Sequence, residues 1–284
     1  MSKIRETDLI LQDGAVYHLG IRPENLSEKI ITVGDPDRVS EVSRHFDSVE
    51  FTHRHREFVT HTGLFKGKRL TAISTGMGTD NIEILMTELD ALVNVDFQSR
   101  EAKHELKSLE IVRVGTSGSL QTEIPVDSIL VSELAIGFDS LMCFYPYHLR
   151  KADLLLSESL QNMADLPFLP YIVRANSDLL NRLGKEMVPG NTLTCPGFYA
   201  PQGRSVRLSP RRENLLQAYK EFRHGDFRIT NFEMETAGYY AMGELLGHHM
   251  LSVNAIVASR ANDVFSKNPA ATVEKAIQMV LEAI

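Results

Sequence analysis

The chemistry in this sequence is concentrated in a few short clusters of charged and small residues. Arg113-Val114-Gly115-Thr116-Ser117-Gly118 closes an apolar run, Glu110–Val114. An arginine inside such a run is costly unless it meets an anion. Thr116 and Ser117 add hydroxyl donors and the glycines bare backbone N–H groups, a set that suits a phosphate. The competing reading of Arg113 is a structural salt bridge to an acidic neighbour. Gly34-Asp35-Pro36-Asp37-Arg38 follows a second run, Lys29–Val33. Gly34 permits close backbone approach, Pro36 and Asp37 suit the start of a helix, and Arg38 sets a planar, always-charged fork on its first turn.

Two further segments carry chemistry of other kinds. Asn231-Phe232-Glu233-Met234-Glu235-Thr236 precedes a helical pattern. That places Glu235 near a helix N-terminus, where the dipole favours a carboxylate. A fixed carboxylate accepts two hydrogen bonds, as from a vicinal diol such as ribose O2′ and O3′; helix capping alone is the alternative. Two glutamates so close in sequence rarely flank a sugar as glycosidase chemistry demands. Phe198-Tyr199-Ala200-Pro201-Gln202-Gly203-Arg204 gathers an aromatic ring, an amide and a guanidinium around a Pro/Gly turn. Phe198 could stack on a flat base, Gln202 pair with an imide edge and Arg204 stabilise charge on a carbonyl oxygen; an ordinary surface loop is the alternative.

His53-Arg54-His55-Arg56-Glu57 reads as a polar β-edge, as a metal site lacking a third ligand in sequence, or as a phosphate contact by one arginine. Thr75-Gly76-Met77-Gly78 is a glycine turn before a helix. The sequence has no G-x-G-x-x-G and no P-loop there, which excludes a dinucleotide or nucleoside triphosphate site of those kinds.

Positioning these residues requires strands that end near one another. Lys29–Val33, Arg69–Ser74, Glu110–Val114 and Met250–Ala258 are short, apolar and bounded by glycine or polar residues, as buried strands are. Ile82–Val93, Thr236–Leu246 and Ala271–Ile284 repeat apolar residues at helical spacing. The polar segment Asn94–Leu109 is expected to be a solvated helix or loop insertion. The alternation predicts a single α/β domain over residues 1–284 with a mainly parallel or mixed sheet, and a ligand beyond the strand ends. A net charge of −7 supplies no basic field for nucleic acid. No run reaches the length of a membrane span, and the N-terminus has no signal-peptide pattern. Two cysteines, Cys143 and Cys195, are expected as reduced thiols of a cytoplasmic protein.

Taken in order, Gly34–Arg38 (GDPDR), His55–Phe58 (HREF), Ser74–Gly78 (STGMG), Arg113–Gly118 (RVGTSG) and Asn231–Glu235 (NFEME) resemble the hexamer-type nucleoside phosphorylases, above all their uridine phosphorylase branch. Any one of these could arise by chance; the ordered set is specific. The resemblance implies a mixed, barrel-like central sheet flanked by helices, and dimers assembled into a ring such as a trimer of dimers. It implies phosphate held by Gly34, Arg38, Arg113 and Thr116, with Arg56 reaching over from a partner subunit. Glu233, Met234 and Glu235 match the ribose motif, and His18 matches a histidine lent by a neighbour to the ribose 5′-hydroxyl. Phe198, Gln202 and Arg204, in the spacing F-x-x-x-Q-x-R, match the base pocket, with Arg260 bracing it. Purine-cleaving relatives place an aspartate near that last position, and here Asp263 follows three residues later.

The implied activity is cleavage of uridine by phosphate, giving uracil and ribose 1-phosphate in nucleoside salvage. Catalysis would fall to Arg204, Gln202, Glu235 and Arg113, with phosphate as co-substrate and no cofactor. The alternatives are a purine nucleoside phosphorylase, a water-using nucleosidase and a nucleoside-binding protein without turnover. The sequence departs from the family at Thr79-Asp80-Asn81, where Gly-Pro-Ser is usual, which bears on whether Glu57 can reach a monovalent cation.

Overall fold

The computed structural model describes residues 3–284. A small hairpin of β1 (Leu11–Gln12) and β2 (Ala15–Val16) precedes β3 (Lys29–Val33) and α1 (Arg38–Ser43). A meander follows: β4 (Ser48–His55), β5 (Phe58–Phe65) and β6 (Lys68–Ser74). Next come α2 (Thr79–Asn94), a second hairpin of β7 (Val95–Asp96) and β8 (Glu101–Ala102), and β9 (Glu110–Ser119). The chain continues through β10 (Ile129–Gly137), α3 (Leu154–Ala164), β11 (Tyr171–Arg174), α4 (Ser177–Leu183) and β12 (Val188–Thr194). It ends with α5 (Leu215–Glu221), β13 (Asn231–Glu233), α6 (Thr236–Leu246), β14 (His249–Ser259), β15 (Val264–Phe265) and α7 (Pro269–Ala283).

Eleven strands form one mixed sheet, and five of them close into a barrel. β9 pairs parallel with β14, β14 antiparallel with β10, β10 parallel with β12, β12 parallel with β13, and β13 antiparallel with β9. β3, β6, β5 and β4 extend the sheet from β9, with β4 at its free edge. The expected barrel-like mixed sheet is therefore present.

The barrel is apolar outside and polar inside. Val112, Val114, Val131, Leu251 and Val253 face outward and pack with Val273, Ile277 and Val280 of α7. On the alternate residues of the same strands, Arg113, Ser117, Ser132, Thr192, Asn231, Ser252 and Asn254 are buried and bond to one another across the interior. Side chains in a strand alternate faces, so one set meets the helices and the other the lumen. Tyr240 of α6 closes one end. Its O–H donates to Ser132 O at 2.6 Å and accepts Ser252 N–H at 2.9 Å, just past Val131–Val253, the last paired residues of β10 and β14.

Several elements differ from expectation. β9 does not stop at Val114 but runs to Ser119, so the whole Arg113–Gly118 motif is strand. Its glycines serve close packing rather than a bared loop: a Cβ on Gly115 would lie 2.2 Å from Arg113 Nη1, and one on Gly118 3.0 Å from the Phe232 ring. Pro36 lies just outside α1, which opens at Arg38 after Asp37. The segment after Asn94 opens with the β7–β8 hairpin rather than a helix; Asp96 accepts from the N–H groups of Gln98 and Ser99 at its turn. His53 to His55 form part of the edge strand β4, as a polar β-edge would.

Tyr171 crosses directly over Gly137, where an added Cβ would fall 2.0 Å from the ring. Overpacking of this kind typically costs about 1–3 kcal/mol. Gly137→Ala should lower the thermal midpoint by several degrees in a calorimetric scan, and an unchanged midpoint would show that Tyr171 can move aside.

Candidate active site

A cavity of about 520 Å³ opens where β3, β6, β9 and β13 end. Gly34, Arg38, Arg113, Thr116, Phe198, Gln202, Arg204, Glu233, Met234 and Glu235, expected from separate stretches of sequence, all line it. His18, Arg56 and Arg260 do not.

The two glutamates have different tasks. Glu233 Oε2 accepts the N–H groups of Glu235 and Thr236, both at 2.9 Å, and so caps α6 from the end of β13. Its Oε1 accepts the Thr194 hydroxyl at 2.6 Å. Glu235 is the N-cap residue by position, but its carboxylate turns to the cavity wall. There Oε1 accepts Gly78 N–H at 2.9 Å and Oε2 accepts Arg113 Nη2 at 2.7 Å. Met234, between them, also faces the cavity.

Arg113 lies at the centre of this arrangement and is 6% exposed, so its charge must be matched inside the protein. Nη2 pairs with Glu235 at 2.7 Å and Glu233 at 3.0 Å, and Nη1 donates to Asn254 Oδ1 at 3.0 Å and Ser252 Oγ at 3.2 Å. The salt-bridge reading of Arg113 holds: it lines the cavity, and its Nη groups are committed to protein acceptors. Burial opposes its charge, and the two carboxylates outweigh burial and hold its pKa up. One cation cannot neutralise two carboxylates. Burial, together with the neighbouring Glu233 charge, raises the Glu235 carboxyl above its ordinary range despite Arg113.

Arg38 offers a freer charge. Its side chain is only 19% exposed and its ion pair with Glu41 is long, 3.9 Å. Burial, against the pull of Glu41 and Asp35, lowers its pKa, and Arg113 adds to the lowering. A desolvated cation with so loose a partner on a cavity wall is a place for an anion. Gly34 lies beside Gly76, whose N–H donates to Gly34 O at 3.0 Å.

The Phe198–Arg204 segment is a loop with a single 3₁₀ turn over Ala200–Gln202. Arg204 stacks on Phe198, 3.7 Å from the ring centroid. Its Nη1 donates to Phe198 O at 2.7 Å and Gln202 Oε1 at 2.5 Å. Gln202, 3% exposed, therefore has its oxygen oriented by Arg204. Burial and the nearby Arg260 lower the Arg204 pKa to about 10, which leaves it charged at neutral pH. Arg260 reaches Phe232 (5.7 Å from guanidinium carbon to centroid), and Arg204 approaches the same ring at 5.6 Å. It braces the wall rather than forming it. Asp263 is exposed, in the turn before β15, and does not line the cavity.

His18 and Arg56 lie together at a distinct surface. Glu88 accepts from His18 N at 3.0 Å and Leu19 N at 2.8 Å and bonds His18 Nδ1 at 2.6 Å. Arg56 Nη2 donates to the Tyr17 hydroxyl at 3.2 Å, and its guanidinium carbon lies 5.3 Å from that ring's centroid. Of the three arginines expected at phosphate, Arg38 and Arg113 line the cavity of one copy of the chain and Arg56 does not. Glu57 and Asn81 flank Gly76, where an added Cβ would sit 3.3 Å from Glu57 Cγ and 2.5 Å from Asn81 Nδ2. Among the described residues no three His, Cys, Asp or Glu side chains are grouped to hold a metal, and no helix is long and apolar enough to cross a membrane.

The family model described as "Phosphorylase superfamily" matches residues 28–284. The chain belongs to the phosphorylase superfamily. It is 26% identical over 259 residues to the uridine phosphorylase of Thermococcus kodakarensis, covering 90% of this chain and 82% of that protein. It is also 26% identical over 237 residues to a DeoD-type purine nucleoside phosphorylase of Colwellia psychrerythraea, covering 83% and 84%. Among solved structures, a Trypanosoma brucei nucleoside phosphorylase described as showing uridine phosphorylase activity superposes with a TM-score of 0.87 at 28% identity, over 97% of this chain and 99% of that one. The purine nucleoside phosphorylase of Toxoplasma gondii, at 19% identity and a TM-score of 0.68, shares the fold over 97% of each chain. The expectation of a pentosyltransferase enzyme of this family holds.

Sequence reasoning passed over Phe232, Thr194, Ser252, Asn254 and the Gly78 N–H. The signal for Ser252 and Asn254 was present: two polar residues at period two inside the apolar run Met250–Ala258. Glu233→Ala would strip α6 of its cap, a loss of roughly 0.5–2 kcal/mol. Urea unfolding should show a lower midpoint with an unchanged slope; an unchanged midpoint would contradict the capping role.

Proposed function

We propose that this chain cleaves the N-glycosidic bond of uridine with inorganic phosphate, giving uracil and ribose 1-phosphate. A phosphate oxygen bonds to C1′ while the C1′–N1 bond breaks and its electron pair leaves with uracil as a delocalised anion. The observation that carries this reading is one cavity bounded by Arg38, by Glu235 and by the Gln202–Arg204 pair. An anion, a diol and an imide edge each have a partner of matching chemistry there.

Arg38, with Gly34, Thr116 and the charge of Arg113 behind it, would hold phosphate, whose own charge offsets the oxocarbenium character of the sugar. Glu235 would orient the ribose hydroxyls, with Met234 beside it. Gln202 and Arg204 would meet the uracil edge over the Phe198 face and stabilise charge growing on its oxygens. His18 and Arg56, adjacent to each other and away from their own cavity, would complete the site of a second copy, which makes the working unit at least a dimer. Cys143 and Cys195 are both free thiols, in keeping with a cytoplasmic setting and a role in nucleoside salvage.

The purine reading has support in the DeoD-type relatives. Against it, Asp263 is outside the cavity, leaving no carboxylate at the base end to protonate a purine ring nitrogen.

Uracil release from uridine should require added phosphate, and inosine should be turned over far more slowly. Release without phosphate would instead make the chain a hydrolase, and faster inosine cleavage would make it a purine enzyme. Arg204→Ala should lower kcat by roughly 10²–10³, the usual loss for one charge-stabilising donor; a change confined to KM would remove that role. Protonation of Glu235 removes the charge that pairs with Arg113 and turns one of its oxygens from acceptor to donor, and burial raises its pKa above the usual 4.5. Activity should therefore fall on acidification at a pH above 4.5, read as the acid limb of the kcat/KM profile.

A further inference from the structure

The barrel interior holds a chain of side-chain hydrogen bonds that begins and ends at the cavity. Arg113 Nη1 donates to Asn254 Oδ1 at 3.0 Å, and Asn254 Nδ2 donates to Ser132 Oγ at 3.0 Å. Ser132 and Thr192 share a 2.5 Å hydroxyl contact, and Thr192 donates to Asn231 Oδ1 at 3.0 Å. Asn231 Nδ2 then donates to Ser117 Oγ at 3.0 Å, on the strand that also carries Arg113. All five barrel strands contribute a member, and the members between Arg113 and Ser117 are wholly buried.

The donors all run one way, starting from a cation. Each bond then polarises the next, and no link can reverse without leaving a buried group unpaired. The point where this chain grips the site is Asn254. Its oxygen faces Arg113, because its amide is turned to Ser132 Oγ at 3.0 Å and, more loosely, to Ser252 Oγ at 3.4 Å. The opposite end of the Arg113 guanidinium holds Glu235 at 2.7 Å. Arg113 also contacts Ser252, but that hydroxyl is itself shared with Thr236 at 2.8 Å and with Asn254 at 3.4 Å, so Asn254 is the acceptor with a fixed direction.

We propose that Asn254 is a positioning residue for the reaction: it sets the Arg113 guanidinium, which sets the Glu235 carboxylate, and so governs selectivity at the sugar hydroxyls. This rests on the reading of Glu235 as the ribose ligand. Asn254 itself does not line the cavity. Its effect passes through Arg113 and separates a ribose from a 2′-deoxyribose where Glu235 meets the sugar; any loosening of phosphate through Arg113 acts on both substrates alike and leaves their ratio unchanged.

The test compares uridine with 2′-deoxyuridine in the parent, Asn254→Leu and Asn254→Gln, with thermal midpoints recorded alongside. Leucine removes the acceptor at similar volume and should lower kcat/KM for uridine about tenfold to a hundredfold, the range for losing one hydrogen bond to a charged group. It should lower kcat/KM for 2′-deoxyuridine far less, so the ratio of the two falls. Glutamine keeps an amide donor and an acceptor oxygen without adding charge, and should retain a ratio nearer the parent's than leucine does. An unchanged ratio in Asn254→Leu, or equal loss in both variants, overturns the proposal.

Should Asn254→Leu fail to fold, Ser132→Ala decides, since it removes the shorter of the two bonds that hold the Asn254 amide while leaving every cavity residue in place. Its ratio should fall by a few-fold, and no change refutes the idea. Parent protein that turns over no nucleoside would sink the functional reading instead. Nitrogen NMR of labelled arginine then still judges the positioning: slow guanidinium rotation of Arg113 must be lost in Asn254→Leu, and its persistence overturns the claim.

Discussion

A single buried guanidinium, Arg113, stands between two carboxylates, and the site is organised around that imbalance. Glu233 and Glu235 both reach its Nη2, at 3.0 and 2.7 Å, and all three side chains are buried. Breaking a buried pair leaves an uncompensated charge, which is far costlier than the net gain of forming it. Each carboxylate is therefore held by further donors: Glu233 by Thr194 and the α6 backbone, Glu235 by Gly78 N–H. The glycine at 115 follows from the same demand, because the Arg113 guanidinium folds back over the backbone where any Cβ would stand.

That demand explains why the lumen is polar. Five strands closing on themselves leave an interior that aliphatic side chains would ordinarily fill. Here serine, threonine and asparagine fill it, and their hydrogen bonds run from Arg113 round to Ser117. The hydrophobic stabilisation has moved outward, to the faces that meet α6, α7 and α2. A satisfied polar lumen is rigid, since moving one member unpairs its neighbours. Rigidity of this kind suits groups that must hold a phosphate and a sugar in fixed relation.

The base end is built differently. Phe198, Gln202 and Arg204 stand on a loop, not on barrel strands, and are held by stacking and by the bonds of Arg204 to Gln202 Oε1 and Phe198 O. Loops on a fixed scaffold change with less penalty than strands. A barrel for the anion and sugar with a loop for the base is consistent with a superfamily whose relatives of this chain include both uridine and purine nucleoside phosphorylases.

Much of this was legible without coordinates. Period and composition marked β3, α6 and most of α2, α7 and β14, because apolar residues recur there at one clear spacing. The charged motifs were legible because an arginine or glutamate beside apolar residues has few inexpensive explanations. The barrel was not. β10 and β12 carry their polar residues inward, so Ser132, Thr192 and the Pro189-Gly190-Asn191 stretch resemble breakers rather than core. Whether Arg113 would meet a phosphate or a carboxylate could not be read either, since its partners lie more than a hundred residues away in sequence. The sequence by itself determined which residues carry charge and which segments must be buried, because those follow from local chemistry. Tertiary structure alone decided which charge faces which, because strand closure brings Arg113, Glu235 and Asn254 together from three separate strand and turn segments, and no local rule encodes that meeting.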